Sequence, residues 1–218
     1  MEIKWLGHSC FLLISENGVR VLMDPPSPVT GYTIEPVDTD VVTISHDHED
    51  HNYYELAKGN PQCIKDAGKH TIKGVDITGI PVWHDEVHGA KRGPNMMYIV
   101  EMDNMRILHA GDLGHELDAQ TAQAVGNIDV LLTPIGGVYT IDHNQAIDLA
   151  NMLKPKVVIP MHYKTPDVIY KLGGLLPFLN AAKDCAIHRL RQCEATLTKE
   201  SLGNDRIITL AYAGKREK

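Results

Sequence analysis

The sequence predicts an α/β fold in which two mixed, mainly antiparallel sheets are flanked by helices. The first 24 residues read as three consecutive strands joined by short turns, which favours an antiparallel start. The later part alternates strands with amphipathic helices and contains no short-period repeat. With 218 residues, of which 43% are hydrophobic, the chain can bury a substantial core, and we expect one domain over residues 1–218.

The elements of the first half are assigned from hydrophobic patterning and turn residues. Strands are predicted within residues 2–15 and 19–24, separated by an Asn-Gly turn, and again at 40–45. Residues 25–38 hold several prolines and are predicted to form a loop. The segment Asn52 to Gly59 is predicted as a short helix that ends at the glycine.

The elements of the second half follow from the same rules. We predict a strand pair in residues 71–83, and a hairpin in 96–112 whose turn is Asp103-Asn104. Helices are predicted near 118–125, from His143 to Lys154 with Asp142 as N-cap, and within 175–185. The remaining predicted strands are residues 129–135, 156–163 and 205–213.

Five of the predicted strands end in the same way, with a histidine or an aspartate. These residues are Asp24, His46, His84, Asp112 and His162. A buried strand delivers the residue at its end to the rim of its sheet, so the five side chains are expected to converge. Neutral imidazole and carboxylate suit Zn²⁺, Mn²⁺ or Fe²⁺. Without cations, such a cluster would carry a cost in repulsion and desolvation.

The segment His46 to His51, with the sequence HDHEDH, adds further ligands. His46 and His48 are two residues apart and lie on the same side of an extended chain. Asp50 and His51 are adjacent, are placed at the start of the predicted helix, and can serve a second ion. Two ions in one site need a bridging carboxylate, for which Asp112 is the candidate.

These motifs strongly resemble those of the metallo-β-lactamase superfamily. The resemblance rests on His-x-His-x-Asp-His at residues 46–51 and on the single residues His84, Asp112 and His162 in the order of that family. More narrowly, the segments WLGHSCFLL, HAGDLGH and KPKVVIPMHY look like the branch that contains L-ascorbate-6-phosphate lactonase and N-acylphosphatidylethanolamine phospholipase D. The resemblance implies a four-layer αββα sandwich with a dinuclear site at one edge.

The resemblance also implies a set of metal ligands. His46, His48 and His84 would hold one ion, Asp50, His51 and His162 the other, and Asp112 would bridge them. We expect two divalent ions per chain, with zinc favoured and manganese or iron as alternatives.

The reaction expected at such a site is hydrolysis of a small anionic metabolite, a lactone or a phosphodiester, by a metal-bridging hydroxide. Asp50 is the candidate general base and acid. The alternatives are a mononuclear iron oxygenase of the persulfide dioxygenase type and a metal-dependent nuclease.

Four residues outside the ligand set are candidates for supporting roles. Asp24 either orients a ligand histidine or forms a turn before proline. Arg92 lies on a loop shaped by glycine and proline, where its guanidinium either binds a substrate anion or forms a structural salt bridge. Asn95 and Tyr139 are the other candidate substrate contacts. The roles of His8, His88 and His115 are open, with a structural role favoured for His8.

Composition bears on the partners and the cellular location expected for the protein. The net charge of −7 argues against a nucleic-acid-binding surface, and no apolar run is long enough to span a bilayer. Four scattered cysteines favour reduced thiols, and we expect the protein to be cytoplasmic. The expected partner is a small anionic molecule, and the sequence leaves a homo-oligomer open.

Overall fold

The computed structural model describes residues 1–183, 185–203 and 206–214. Sixteen strands and three α-helices, together with two short 3₁₀ helices, make up the described chain. The strands are β1 (Glu2–Gly7), β2 (Cys10–Ile14), β3 (Arg20–Met23), β4 (Val37–Asp38), β5 (Val41–Thr43), β6 (Ala57–Lys58), β7 (Gln62–Ile64), β8 (Gly68–Ile72), β9 (Val75–Trp83), β10 (Pro94–Met102), β11 (Met105–His109), β12 (Val130–Pro134), β13 (Val157–Met161), β14 (Ala186–Arg189), β15 (Glu194–Thr196) and β16 (Arg206–Thr209). The α-helices are α1 (Ala119–Val125), α2 (His143–Leu153) and α3 (Leu175–Ala181), and the 3₁₀ helices are Pro28–Thr30 and Tyr54–Leu56.

Two large sheets form the body of the fold. The first has the strand order β15-β1-β2-β3-β5-β7, and the second has the order β14-β16-β13-β12-β11-β10-β9-β8. Both sheets are mixed, as predicted. The first sheet is mainly antiparallel, with parallel pairing along β3-β5-β7, whereas in the second sheet the neighbours β11-β12-β13-β16-β14 are parallel. Connections that carry a helix or a long loop return the chain to the same end of the sheet, which produces parallel neighbours.

The side chains of the first sheet alternate between two hydrophobic clusters. Phe11 and its cross-strand partner Met23 belong to the large core that also contains the residues of the second sheet. Leu12 and its partner Leu22 belong to a separate cluster on the opposite face. The first sheet therefore packs one face against the second sheet and covers its other face with the segment around Leu56.

The outer face of the first sheet is covered without an α-helix among the described residues. The predicted helix from Asn52 to Gly59 is wrong: a single 3₁₀ turn, Tyr54–Leu56, is followed by β6, which pairs in parallel with β4. Burial of Leu56 and pairing of β6 with β4 outweigh a weak local helix preference. Asp50 and His51 consequently lie in a turn and not at a helix start.

Most of the other sequence-predicted elements are present in the structure. The closing strand predicted at 205–213 is shorter, because β16 ends at Thr209, and the predicted loop 25–38 contains a 3₁₀ helix and β4. The strands β7, β14 and β15 were not predicted.

The hairpin turns at Asp103 and Asn104, both at positive φ. Asp142 caps α2 in a reciprocal capping box with Gln145, as the sequence indicates. Two predicted elements extend to Asp184 and Asp205, which lie outside the described residues. In the part of the chain that the structure describes, no helix combines the length and hydrophobicity needed to cross a membrane.

Candidate metal centre

Five strands deliver polar side chains to one edge of the sandwich, as the sequence predicts. Asp24, His84 and His162 directly follow β3, β9 and β13, and His46 and Asp112 lie three residues after the ends of β5 and β11. All five are buried. Because β3 and β5 are parallel neighbours, and β11, β12 and β13 are also parallel, these strand ends lie at the same rim.

Three histidines form the first half of the site. His46, His48 and His84 each place a ring nitrogen within 4.8 Å of the others. The buried Nε2 of His46 has no hydrogen-bond partner among the described residues. Burial lowers the pKa of His46 to about 3, and burial also lowers the pKa of His48. Both rings are therefore neutral at pH 7 and keep a lone pair for a cation.

The second half of the site combines a carboxylate with three histidines. Asp50, His51 and His162 are joined there by His8, with one potential ligand atom of each residue within 4.8 Å of the others. His8 is fully buried, and its Nε2 lies 3.1 Å from Asp50 Oδ2. The structure thus places His8 within the site. The same histidine also forms a hydrogen bond, as in the structural role that the sequence favours.

Asp112 lies between the two groups. Its Oδ2 is 3.3 Å from His84 Nε2 and 3.2 Å from His162 Nε2, and its Oδ1 is 3.3 Å from His51 Nε2. Burial alone would raise the pKa of Asp112, but His162 and His51 hold it well below its usual range. Oδ2 thus faces a histidine of each group and Oδ1 faces the second group, so Asp112 is the residue that two ions would share.

Asp24 orients a histidine of each group. Its Oδ2 accepts a hydrogen bond from His51 Nδ1 at 2.9 Å and one from the Ser45 hydroxyl at 2.6 Å. That hydroxyl also lies 2.9 Å from His46 Nδ1. Because the single hydroxyl proton goes to Asp24, Ser45 accepts from Nδ1–H of His46. Nε2 of His46 is thereby left as the lone-pair nitrogen that faces the site. Burial alone would lower the pKa of His51, but Asp112 and Asp50 raise it well above its usual value, so a metal at Nε2 of His51 would replace a proton.

The chemistry of these atoms fits a divalent metal. Several buried polar atoms of the cluster have no hydrogen-bond partner among the described residues, including Nε2 of His46, Nε2 of His51 and Oδ1 of Asp112. Leaving such atoms unsatisfied is costly in a folded protein unless an ion or a water completes them. Imidazole nitrogens with carboxylate oxygens suit zinc, and they also accept manganese or iron.

A cavity of about 330 Å³ opens onto this cluster. Two candidate substrate contacts from the sequence, Arg92 and Tyr139, line it together with Tyr170. Tyr139 and Tyr170 meet edge to face, with ring centroids 6.3 Å apart. A larger cavity of about 1010 Å³ lies around Asp129 in another part of the molecule, and its lining in the described part of the chain contains neither histidine nor cysteine. The smaller cavity is therefore the candidate substrate site.

Asn95 has a different position from the one predicted. It is 1% exposed, and it does not line the cavity. Its Oδ1 accepts from the backbone N–H of Asp112 at 3.0 Å, and its Nδ2 donates to the Ala110 carbonyl at 3.0 Å. Both ends of the Asn95 amide thus hydrogen-bond to the backbone of the loop that carries Asp112. Asn95 therefore holds this loop in place and is not a cavity residue.

The remaining histidines near the site have structural surroundings. His115 Nε2 accepts from the Trp83 backbone N–H at 3.2 Å, and His88 packs edge to face on the Trp83 ring. His109 is fully buried, with Nε2 2.8 Å from the Ser9 carbonyl. None of the three lines the cavity.

Sequence reasoning missed three residues of this region: Ser45, Asp85 and Tyr170. Ser45 directly precedes the first histidine of the motif, and Asp85 directly follows His84, so their positions beside ligand candidates were available signals. Tyr170 carried no such signal, because it reaches the cavity from a loop after β13 that the structure holds through Ile169 N–H and the Thr30 carbonyl.

Comparisons with known proteins place the chain in a family. Residues 2–162 match the model of the beta-lactamase superfamily domain. The chain belongs to the metallo-beta-lactamase superfamily. A UPF0173 metal-dependent hydrolase from Archaeoglobus fulgidus is 32% identical over 202 residues, covering 78% of this chain and 87% of the relative. A Thermococcus kodakarensis protein of the same name is 33% identical over 193 residues, covering 76% of this chain and 85% of the relative.

Solved structures agree with this placement. One is a Thermotoga maritima protein of the superfamily, for which Zn-dependent hydrolase activity has been suggested. It is 35% identical, the match covers 96% of this chain and 98% of the Thermotoga chain, and the TM-score is 0.80. Igni18, a metallo hydrolase from Ignicoccus hospitalis, is 25% identical, covering 98% and 96%, with a TM-score of 0.67. The fold is the metallo-beta-lactamase fold, and the chain is a metal-dependent hydrolase of the UPF0173 family.

Proposed function

We propose that the chain is a dinuclear metal-dependent hydrolase that cleaves a lactone or a phosphodiester in a small anionic molecule. The observation that carries this proposal is the position of Asp112. Its two oxygens lie 3.2 to 3.3 Å from histidine nitrogens of both groups, so one carboxylate faces both ligand sets. A mononuclear site would not need a carboxylate between two separate sets of ligands.

The proposed ligands divide as the resemblance implies. His46, His48 and His84 would hold one ion, and Asp50, His51 and His162 would hold the other, with Asp112 shared. Zinc fits the predominance of imidazole, and manganese or iron fits the same donors. When bound, such ions would supply an activated water at neutral pH and would polarise the carbonyl or phosphoryl group that is attacked.

Asp50 is the proposed proton carrier. It lines the cavity, and its Oδ2 is 3.1 Å from His8 Nε2, while no hydrogen bond to its Oδ1 occurs among the described residues. Burial alone would raise the pKa of Asp50, but His51 and His8 lower it. Asp50 is therefore ionised, and Oδ1 is the atom at which it would accept a proton and return it to a leaving oxygen.

Arg92 is the proposed contact for the negative charge of the substrate. Among the described residues that line the cavity, Arg92 is the only one with a permanent positive charge. Its side chain forms no ion pair with a carboxylate in the described part of the chain, which disfavours the structural salt bridge considered from the sequence. A guanidinium in this position can bind a phosphate or carboxylate with two parallel hydrogen bonds.

Hydrolysis of two probe substrates tests this function. Protein reconstituted with zinc or manganese is assayed with bis(p-nitrophenyl) phosphate and with a γ-lactone that carries a carboxylate. We expect metal-dependent turnover of at least one probe and a loss of roughly hundredfold or more in Asp50→Asn. His188→Ala, which changes an exposed histidine on β14, is the matched control and should retain full activity. Absence of metal-dependent turnover of both probes would contradict the proposal.

A further inference from the structure

The loop that joins β9 to β10 is organised around a single carboxylate. Asp85 is 1% exposed, and its two oxygens accept four backbone hydrogen bonds. Oδ1 accepts from Val87 and Gly89, both at 2.9 Å, and Oδ2 accepts from Lys91 at 2.9 Å and Arg92 at 2.7 Å. The loop thus folds back on Asp85, and the last of these bonds fixes the backbone of Arg92.

The ends of the same loop are tied to the candidate metal ligand His84. The His84 backbone N–H donates to the Gly93 carbonyl at 3.1 Å, and the Gly93 N–H donates to the Gly89 carbonyl at 2.9 Å. Gly89 has φ +80, and a Cβ on it would lie 2.7 Å from the Trp83 ring. The loop therefore has little freedom to move relative to the site.

The side chain of Arg92 extends from this loop to the opposite wall of the cavity. Its Nη2 donates to the Val138 carbonyl at 3.2 Å, and its guanidinium lies 5.5 Å from the centroid of the Tyr139 ring. Val138 has φ +62, which is a strained conformation for a β-branched residue. Such strain is held in place by surrounding contacts and is concentrated at functional sites.

We propose that Asp85 is a positioning residue, which holds Arg92 where its guanidinium can bind the anionic group of the substrate. Four backbone hydrogen bonds to one buried carboxylate fix the loop, the loop fixes Arg92, and Arg92 determines the preference for anions. The proposal rests on the proposed function, because it takes the cavity to be the substrate site. Pre-organisation of this kind reduces the ordering cost that a flexible arginine would otherwise incur on binding.

Binding of a simple anion separates this role from a purely structural one. The affinity of zinc-loaded protein for phenyl phosphate is measured by calorimetry in wild type, Asp85→Asn, Arg92→Ala and the double variant. We expect each single change to weaken binding by roughly tenfold, and the double variant to bind no more weakly than Arg92→Ala. Zinc content should be unchanged in Asp85→Asn.

The order of the loop is tested independently in metal-free protein. Trypsin cleavage after Lys91 and Arg92 should be slow in wild type and clearly faster in Asp85→Asn. Asp118→Asn is the matched control, since Asp118 also accepts a backbone N–H but caps α1. It should change neither trypsin cleavage at this loop nor phenyl phosphate binding. If Asp85→Asn does not fold, Asp85→Ser, which keeps one acceptor, takes its place.

Three results would overturn the proposal. These are unchanged phenyl phosphate affinity in Asp85→Asn, additive losses in the double variant, or a loss of zinc that accounts for the weaker binding. Because the assay measures binding, its outcome does not depend on turnover. Failure of the proposed function would appear as absent hydrolysis of both probes, whereas failure of this inference appears in the binding cycle.

Discussion

Asp24→Asn should weaken metal binding although Asp24 is not itself a proposed ligand. In the native protein its carboxylate accepts from His51 Nδ1 at 2.9 Å and from the Ser45 hydroxyl at 2.6 Å. The other oxygen, Oδ1, accepts from the Ser45 backbone N–H at 2.8 Å. Asparagine has nearly the same shape but only one acceptor oxygen, and that oxygen has to face the backbone N–H, which cannot accept. The amide NH₂ therefore faces His51 Nδ1 and the Ser45 hydroxyl. If His51 reverses its tautomer to accept from that NH₂, its Nε2 gains a proton and loses the lone pair that faces the site.

The expected size of the effect follows from the hydrogen bonds that are lost. A hydrogen bond to a charged group contributes about 1.5–3 kcal/mol, and loss of a partner that orients a metal ligand typically costs about 10–100-fold in affinity. The latter corresponds to about 1.4–2.7 kcal/mol, so the two estimates agree. Burial alone would raise the pKa of Asp24, but the bond from His51 and the nearby His109 together lower it.

The assay is a zinc titration against a chromophoric chelator, with thermal unfolding of the metal-free protein measured in parallel. Asp129→Asn is the matched control, because Asp129 is also a buried carboxylate but binds Lys199 away from the site. It should lower thermal stability and leave zinc affinity unchanged. Zinc affinity of Asp24→Asn within twofold of wild type would contradict an orienting role of Asp24.

Three further predictions concern other parts of the site and the fold. His8→Leu should lower the turnover number roughly tenfold by removing the donor to the neighbouring carboxylate, and His8→Gln, which keeps a donor, should restore most of it. Gly114→Ala should lower zinc content, because the new Cβ would lie 2.2 Å from the backbone of His84, whereas Gly174→Ala meets nothing within 4 Å. The pKa of Asp129 is lowered by its lysine partner although burial opposes this, so its stabilising contribution is present above pH 3.8 and is lost as the pH falls. The difference in melting temperature between wild type and Asp129→Asn should therefore shrink between pH 5 and pH 2.5, and a difference independent of pH would contradict this.

Much of the candidate site could be predicted because its residues follow buried strands. A run of apolar residues that ends in histidine or aspartate specifies both the strand and the location of its last side chain, as for His162 after β13. The spacing of His46 and His48 likewise places both rings in one group. These signals are local in the sequence, so no knowledge of tertiary packing is needed to read them.

The parts that could not be predicted depend on partners distant in sequence. The strands β4 and β6 have two residues each and exist only through their mutual pairing. Asn95 was assigned to the substrate because it follows Arg92, but β10 turns its side chain toward Asp112. Tyr170 lines the cavity through a long loop whose shape has no periodic signature.

The metal content of the purified protein is the most direct test of the two-metal centre. Wild type and Asp112→Ala, prepared without chelators or a polyhistidine tag, are analysed by mass spectrometry for metal per chain. We expect about two zinc or manganese ions per chain in wild type and fewer in the variant. About one iron per chain would instead favour oxygen chemistry at a mononuclear site. No bound metal after reconstitution with zinc, manganese or iron would contradict the metal centre itself.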